Sequence, residues 1–198
     1  MKNSLIIAVL FLLSVKASAQ YSFGAKDSAR NTFKKEFLLN PFTFFISGFE
    51  VGYGRVFNNN KENFRVLFAY YISEGANLHS DEASNLEAYK IDLQYLFTRP
   101  VQGSLRYYLG GFLTYRNIKL DIAGKPASYV AKGSSANFGV IMGARSYLSE
   151  NFFFDLYFGG GPTVPLNSAN VNDVDQKLFF PVKRAVTPRA GMLLGISF

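Results

Sequence analysis

The carboxy-terminal segment from Ala185 to Phe198 alternates apolar residues with small or polar ones and ends on an aromatic side chain. Successive side chains of a strand point to opposite faces, so this pattern predicts a strand with one apolar and one small or polar face. The apolar face carries Ala190, Met192, Leu194, Ile196 and Phe198. A soluble barrel turns such a face inward around a core, whereas a membrane barrel turns it outward to lipid. The rest of the chain decides between these two architectures.

The amino terminus has the three parts of a secretory signal peptide. A basic start is followed by the apolar residues 4–15 and by an Ala-x-Ala exit at Ala17–Ala19. The apolar run is shorter than the roughly 20 residues that a transmembrane helix needs. We expect residues 1–19 to be cleaved off and residues 20–198 to form a single domain. Lys16, just before the exit, leaves an uncleaved interfacial anchor as the alternative.

No later stretch of the sequence is apolar for long enough to form a transmembrane helix. The mature chain is therefore either soluble or a β-barrel, since only helices and closed barrels satisfy their backbone groups in lipid. The 0 cysteines exclude a disulfide framework, a thiolate zinc site and a catalytic thiol. Aromatic residues make up 17% of the chain, with 21 Phe and 12 Tyr, and there are 17 Gly. This composition is typical of closely packed strands.

The chain is basic, with a formal net charge of +7. Loss of Lys2 and Lys16 with the signal peptide leaves 19 basic and 14 acidic residues, which is +5. A basic surplus is one mark of proteins that bind nucleic acid. Here the basic residues are scattered singly along the strands instead of clustered, so we expect no nucleic-acid partner.

Alternation along the chain predicts an all-β, closed up-and-down antiparallel transmembrane β-barrel of about eight strands. The strands are expected near residues 33–46, 48–57, 63–73, 86–98, 104–122, 134–148, 152–166 and 185–198. The pattern is clearest in the fourth strand, where every second position from Tyr89 to Phe97 is apolar. The first strand is ambiguous because both of its faces carry apolar residues. Pro41 predicts a bulge or an irregular section there.

Connections between these strands alternate in length. Three are short and rich in turn formers, and three are longer and polar: 58–62, 99–103 and 149–151 against 74–85, 123–133 and 167–184. Outer-membrane barrels have short periplasmic turns and longer external loops. Aromatic residues gather at the predicted strand ends, as in membrane girdles. We expect Phe57, Phe64, Tyr95, Phe97, Tyr107, Tyr147, Phe152 and Phe198 at the periplasmic rim and Tyr70, Tyr89 and Tyr115 at the outer one.

The chain resembles the small eight-stranded outer-membrane β-barrel proteins of Gram-negative bacteria, particularly the uncharacterised families of Bacteroidetes. The resemblance rests on the Ala17–Ala19 exit followed by Gln20, the segment Gly48–Phe57 and the terminal strand ending in Phe198. It implies a location in the bacterial outer membrane, among lipid and lipopolysaccharide. It also implies that Phe198 belongs to the signal by which the barrel-assembly machinery recognises such chains for insertion. The resemblance implies almost nothing about activity.

Candidate catalytic and metal-binding residues are few. The one histidine, His79, lies in a predicted polar loop beside Ser80 and Asp81. Some eight-stranded barrels modify lipid A with a His, a Ser and an acid, but such a group needs rigid support to hold its geometry. The polar segment Asn170–Asp175 lacks the Gly and the closing Glu of a calcium loop, which leaves at most a weak contact with a divalent ion. We expect no enzyme activity, no cofactor and no metal site.

Nine charged residues share the face that the alternation turns inward. They are Glu50, Arg65, Lys90, Asp92, Arg106, Arg116, Arg145, Asp155 and Arg189. Eight strands enclose an interior just wide enough for side chains to fill. Unpaired charges are costly there, so we expect a hydrogen-bonded network in which each carboxylate bridges several cations. Such a network either stabilises the barrel or, through its surplus of arginine, lines a narrow anion-preferring pore.

The sequence favours a structural or interaction role, in which the barrel is a rigid platform that displays external loops. The apolar cluster Leu178, Phe179 and Phe180 in the last loop is a candidate contact for another envelope protein, or packs as a lid over the barrel mouth. The alternatives are the narrow anion-preferring pore, an enzyme that modifies lipid A, and a soluble periplasmic barrel of the lipocalin kind.

Overall fold

The computed structural model describes residues 34–58, 61–79, 82–100, 104–122, 129–169 and 187–198. The predicted signal peptide therefore lies outside the described residues. The strands are β1 Lys34–Leu39, β2 Gly48–Phe57, β3 Glu62–His79, β4 Glu82–Pro100, β5 Leu105–Ile122, β6 Tyr129–Tyr147, β7 Phe152–Gly161, β8 Thr163–Ala169 and β9 Thr187–Ser197. A 3-10 helix, Pro41–Ile46, connects β1 to β2. None of the helices in the described part is long and apolar enough to cross a membrane.

The strands close into a barrel in which every neighbouring pair is antiparallel. Strand β1 pairs with β2 on one side and with β9 on the other, and β2 to β7 pair in chain order. Strands β7 and β8 are one strand interrupted at Pro162, since both pair with β6. Strand β9 pairs with β7 and completes the ring. The predicted closed antiparallel barrel of eight strands is confirmed.

The two ends of the barrel differ in height. We call the end that carries the short connections β2–β3, β4–β5 and β6–β7 the turn end, and the opposite end the loop end. Strands β3 to β6 are 18 or 19 residues long, whereas β1 has 6 and β2 has 10. A strand tilted across a bilayer needs about 9–11 residues. The wall formed by β3 to β6 therefore rises well above the wall formed by β1 and β2 at the loop end.

The outward face of the barrel is apolar and exposed, and the inward face mixes charged and apolar side chains. Large outward side chains that are 39–58% exposed include Phe37, Phe64, Phe138, Phe158 and Ile196. The interior holds one apolar cluster, formed by Leu38, Leu67, Leu96, Tyr108, Phe112, Ile141, Phe153, Tyr157 and Leu193. Buried charged residues lie among these apolar side chains. The barrel interior is therefore a packed core with ionic groups inside it.

Glycines on the inward face make room for large side chains of the neighbouring strand. Phe153 lies opposite Gly195 in the β7–β9 register, and a Cβ atom on Gly195 would lie 2.1 Å from the Cζ atom of Phe153. Tyr108 lies opposite Gly143 across β5 and β6 in the same way, at 2.4 Å from its hydroxyl oxygen. Such contacts are too short for any residue other than glycine. This pairing fills a narrow cylinder with aromatic rings.

Several predicted boundaries are wrong, and the first strand shows why. The sequence predicts one strand over residues 33–46, but β1 ends at Leu39 and a 3-10 helix follows. Pro41 has no backbone N–H to donate to a neighbouring strand, and it occupies the first turn of this helix. The side chain of Asn40 caps the helix by accepting a hydrogen bond from the Phe42 N–H at 3.1 Å. Ser47, with φ 55°, ends it and leads into β2.

Two further predictions are wrong, one for the loop 74–85 and one for Tyr147 in the aromatic rim. The segment 74–85 is largely strand, since β3 continues to His79 and β4 begins at Glu82. The pairing between β3 and β4 continues there toward the loop end, with two register shifts. A run of polar residues does not reveal such pairing. Tyr147 is predicted in the aromatic rim, but its ring lies under the Arg106 guanidinium, 5.1 Å from it, on the inward side. Phe57 and Tyr95 do meet at the turn end, with their ring centroids 6.1 Å apart.

Candidate functional site

Four charged side chains form a buried cluster near the turn end, which we call the turn-end cluster: Glu36, Arg65, Arg145 and Asp155. Arg145 Nη2 lies 3.1 Å from Glu36 Oε2 and 3.2 Å from Asp155 Oδ2. Arg65 Nη2 donates to Asp155 Oδ2 at 2.7 Å, and its Nε lies 3.8 Å from Glu36 Oε2. The four side chains are at most 6% exposed. Each arginine thus faces both carboxylates.

Neutral side chains add hydrogen bonds to the two carboxylates of this cluster. The Tyr108 hydroxyl donates to Asp155 Oδ1, and Asn63 Nδ2 donates to Glu36 Oε2 at 2.8 Å. The Arg145 guanidinium stacks over the Phe153 ring, 3.8 Å from its centroid. Such partners offset part of the free energy that charges lose when they are removed from water. The cluster therefore ties together strands β1, β3, β5, β6 and β7.

A second ion pair, Asp92 with Arg189, lies farther from the turn end and is called the middle pair. Arg189 Nη1 donates to Asp92 Oδ1 at 3.2 Å, and its Nη2 donates to the other carboxylate oxygen, so the contact is bidentate. Thr114 donates to Asp92 at 2.8 Å and Gln94 at 2.9 Å. The guanidinium lies 4.2 Å from the centroid of Phe112. Bidentate pairs of this kind combine strength with a fixed geometry.

A third ion pair, Glu50 with Lys90, lies nearest the loop end and is called the loop-end pair. Lys90 Nζ lies 2.6 Å from Glu50 Oε1, and Asn40 Nδ2 donates to Glu50 Oε2 at 2.7 Å. The Lys90 side chain is 14% exposed, whereas that of Glu50 is 2% exposed. The lysine therefore lies at the border between the packed interior and the open mouth.

Two of the nine predicted inward charges stay outside these groups. The Arg106 side chain is half-buried beside Tyr147 at the turn end. Arg116 is exposed at the loop end of β5. Within the described ranges neither arginine takes part in an ion pair. The other seven, from Glu50 to Arg189, lie in the three groups described above.

Glu36 is the charged residue that sequence reasoning missed. The nine predicted residues hold six cations and three carboxylates. With Glu36 included, the three groups contain four cations and four carboxylates, so each ionic group is balanced. The ambiguity of the first strand hid Glu36, because both faces of that strand are apolar. The surplus of cations in the predicted network was the available signal that a carboxylate was lacking.

The remaining candidate residues lie at the loop end or outside the described part. His79 is the last residue of β3 and pairs in register with Glu82, the first residue of β4. Ser80, Asp81, the segment Asn170–Asp175 and the cluster Leu178, Phe179 and Phe180 lie outside the described residues. In the part of the chain that is described, no three His, Cys, Asp or Glu side chains are grouped so that they could hold a metal ion.

The carboxy-terminal residue, Phe198, directly follows the closing strand β9. Phe198 is 66% exposed on the outward face, and its backbone exchanges two hydrogen bonds of 3.0 Å with Lys35 of β1. Phe198 therefore lies at the seam where the last strand meets the first. Its role as an insertion signal stays a prediction.

Comparison with known proteins finds likeness in solved structures alone. No protein-family model matches the chain, and no curated protein matches it. The N-terminal β-barrel domain of Pseudomonas aeruginosa OprF is 18% identical, with a TM-score of 0.46 over 85% of this chain and 98% of that one. Neisserial surface protein A is 14% identical, with a TM-score of 0.45 over 83% and 93%. A major outer membrane protein from Thermus thermophilus is 13% identical, with a TM-score of 0.49 over 84% and 98%.

Proposed function

We propose that the chain is an outer-membrane β-barrel whose interior is closed to ions and whose role is structural or interactive. The observation that carries the proposal is the balanced set of four cations and four carboxylates, each at most 14% exposed, which lies beside a packed apolar cluster. Together with the exposed apolar outward face, this arrangement suits a cylinder that is embedded in lipid and filled with side chains. The barrel then serves as a rigid platform for loops at its loop end. The assignment to Bacteroidetes-type families stays a prediction.

The proposed partners follow from this location. The outward apolar band meets outer-membrane lipid, and the loop end meets lipopolysaccharide. The barrel-assembly machinery recognises the terminal strand that ends in Phe198, and Leu178, Phe179 and Phe180 contact another envelope protein. Replacing these three residues by Ser tests the last point by pull-down from native membranes. An unchanged list of captured proteins contradicts the contact.

A narrow anion-preferring pore is the second candidate. It is favoured by Arg106 and Arg116, two cations at opposite ends of the barrel for which the described residues supply no ion-pair partner. The balanced charge of the three interior groups argues against it, because a closed network leaves no surplus cation between the two ends. An enzyme acting on lipid A is the weaker alternative, and His79→Ala tests it through the mass spectrum of lipid A, which we expect to be unchanged.

Planar-bilayer recording separates the closed barrel from the pore. We expect no conductance above that of the lipid alone for the refolded full-length protein. The double variant R65L/D155L removes one pair of charges from the interior and is recorded for comparison. If the interior side chains block ions, we expect this variant to show a measurable conductance. Steady anion-selective conductance in the unaltered protein, reduced by Arg116→Gln, contradicts the closed barrel and supports the pore.

A further inference from the structure

The barrel wall is interrupted at the loop end between β2 and β9. Strand β1 stops at Leu39, which lies opposite Leu194 of β9 and Val51 of β2. Both neighbouring strands continue toward the loop end, β9 to Thr187 and β2 to Gly48. The 3-10 helix occupies this space and packs against both strands. A helix of this kind offers no ladder of hydrogen bonds to the edge of β9, so the wall is open there to side chains and ligands.

A cavity of about 560 Å³ crosses the wall at this interruption. On the inner side its lining includes Glu50, Lys90 and Tyr157, which are buried or nearly so. On the outer side it includes Phe42 and Leu156, which are 51% and 45% exposed on the apolar outward face. One cavity is therefore lined by side chains of both the inward and the outward face.

A second cavity lies in the barrel mouth beside the first. It has about 230 Å³ and shares Tyr71 and Lys90 with the larger one, while Arg116 and Ile118 line its far side. Among the described residues that line the two adjoining cavities, Lys90 and Arg116 are cations and Glu50 is a carboxylate. Glu50 already accepts hydrogen bonds from Asn40 and Lys90. The inner end of the space is positively charged and its outer end is apolar.

We propose that the two cavities bind a single-chain amphiphile with an anionic head group, of which a long-chain fatty acid is the simplest example. The head group lies between Lys90 and Arg116, and the apolar chain leaves between the 3-10 helix and β9. Cavities of about 300–1,000 Å³ are the usual size for small-molecule sites. A carboxylate gains charge-assisted hydrogen bonds at the inner end, and the chain stays out of water along its length. The inference rests on the membrane location proposed above.

The absence of tryptophan allows a direct test, because the sequence contains 0 Trp. Phe42→Trp places one fluorophore at the outer end of the cavity, and Phe138→Trp places one on the outward face of β6, at a position that is 48% exposed. Each full-length variant is refolded into phosphatidylcholine nanodiscs and titrated with dibromostearate, whose bromines quench Trp on contact. We expect at least threefold stronger quenching for Phe42→Trp, reversed by excess oleate. Equal quenching of both variants, with no reversal by oleate, overturns the proposal.

Two further titrations separate binding in the cavities from embedding of the barrel in the membrane. Dibrominated phosphatidylcholine reports embedding alone, and we expect it to quench both variants alike. Absence of quenching by this lipid for Phe138→Trp contradicts the membrane location itself, and the site with it. Dibromostearyl alcohol has the same chain without the charge, and we expect it to bind at least tenfold more weakly. Binding of acid and alcohol with equal affinity overturns the assignment of an anionic head group.

Substitutions within the cavity test its two ends. Added to Phe42→Trp, Arg116→Gln removes the exposed cation, and we expect about tenfold weaker binding of the acid with little change for the alcohol. Ala190→Phe adds a ring at the outer lining and is expected to weaken the acid and the alcohol equally. Folding of each variant is checked by its circular dichroism spectrum. If both substitutions leave binding of the acid unchanged in a folded barrel, the ligand lies elsewhere and the proposal fails.

Discussion

The turn-end half and the loop-end half of this barrel are built in different ways. At the turn end, β1 fills the wall between its neighbours, and the turn-end cluster of Glu36, Arg65, Arg145 and Asp155 is at most 6% exposed. At the loop end, β1 is missing, a 3-10 helix takes its place, and cavities open around the loop-end pair of Glu50 and Lys90. The complete ring of strands and the most deeply buried charges are therefore at the turn end, and the cavities are at the loop end.

This difference suggests that one end of a small barrel provides stability and the other end provides space for a ligand. A closed ring of hydrogen-bonded strands has no free edge, so its turn-end half is fixed by backbone pairing and by buried charges. In the loop-end half, β2 and β9 extend past the end of β1 and lack a strand between them. Local structures with fewer buried contacts are those from which binding sites are usually drawn. The following variants test whether the two halves differ in this way.

Removal of one arginine from the turn-end cluster has the largest expected effect. Arg145→Met leaves Glu36 and Asp155 buried with only Arg65 to balance them. Breaking a buried ion pair by removal of one partner costs about 3–5 kcal/mol. We expect a loss of unfolding free energy of this size, measured by urea denaturation of the barrel refolded in lipid vesicles. Arg116→Gln, which changes an exposed arginine at the loop end, is the control and is expected to stay within about 0.5 kcal/mol.

Equal losses of unfolding free energy for Arg145→Met and Arg116→Gln contradict the difference between the two halves. The turn-end cluster would then contribute no more to stability than an exposed charge at the mouth. If the double variant E36Q/R145M recovers the stability that Arg145→Met loses, the difference between the two halves is supported and its cause is identified. In that case the cost comes from the unpaired carboxylate and not from the lost side-chain packing against Phe153.

Overpacking of an inward glycine is the second test. Gly195→Ala puts a methyl group about where the Phe153 ring lies, 2.1 Å from its Cζ atom. Phe153 is fully buried in the apolar cluster, so the ring cannot move into solvent. Overpacking of this kind costs about 1–3 kcal/mol. Gly111→Ala on the outward face is the matched control, because its added Cβ meets only the Gly139 carbonyl oxygen, at 3.7 Å. A loss no larger for Gly195→Ala than for Gly111→Ala contradicts the tight fit of ring on glycine.

The closed barrel could be predicted from the sequence because alternation fixes the two faces of each strand. In β4 the polar positions Lys90, Asp92 and Gln94 and the apolar positions between them left no choice of face. In β1, apolar residues on both faces removed this signal, and Glu36 was lost from the predicted network. The pairing of Gly195 with Phe153 was also beyond prediction, because it depends on the register between strands that are far apart along the chain.

The loop end was predicted less well for a different reason. The segment that contains His79 is polar on both faces, so its continuation as paired strand has no hydrophobic pattern to reveal it. The interruption beside β1 depends on how far β9 and β2 extend past Leu39, which only the assembled barrel defines. Pro41 marked the irregular section, but nothing in the sequence indicated that a cavity opens behind it.

The loop-end pair provides a test of intermediate size. Lys90→Met leaves Glu50 with Asn40 as its hydrogen-bond partner, and the lysine side chain is 14% exposed in the native barrel. Partial exposure to water lowers the cost of an unpaired charge, so we expect a loss of about 1–2 kcal/mol, below that for Arg145→Met. Urea denaturation of the single variants and of E50Q/K90M gives the coupling energy of the pair. A coupling as large as that between Glu36 and Arg145 removes the distinction between the two halves.

The smallest effect on the unfolding free energy is expected at the loop end of β4 and β5, above the closed ring of strands. Lys119 Nζ lies 3.9 Å from Glu87 Oε2 and 3.3 Å from Asp121 Oδ2, but these side chains are 40–50% exposed. Water and salt screen such pairs, and exposed ion pairs contribute about 0.2–1 kcal/mol at most. We expect Lys119→Ala to change the unfolding free energy by less than about 0.5 kcal/mol and to lose even this effect in high salt. A larger, salt-resistant loss would mean that the extension of β4 and β5 is part of the cooperative unit. The loop-end wall would then share the stability that we assign to the turn-end half.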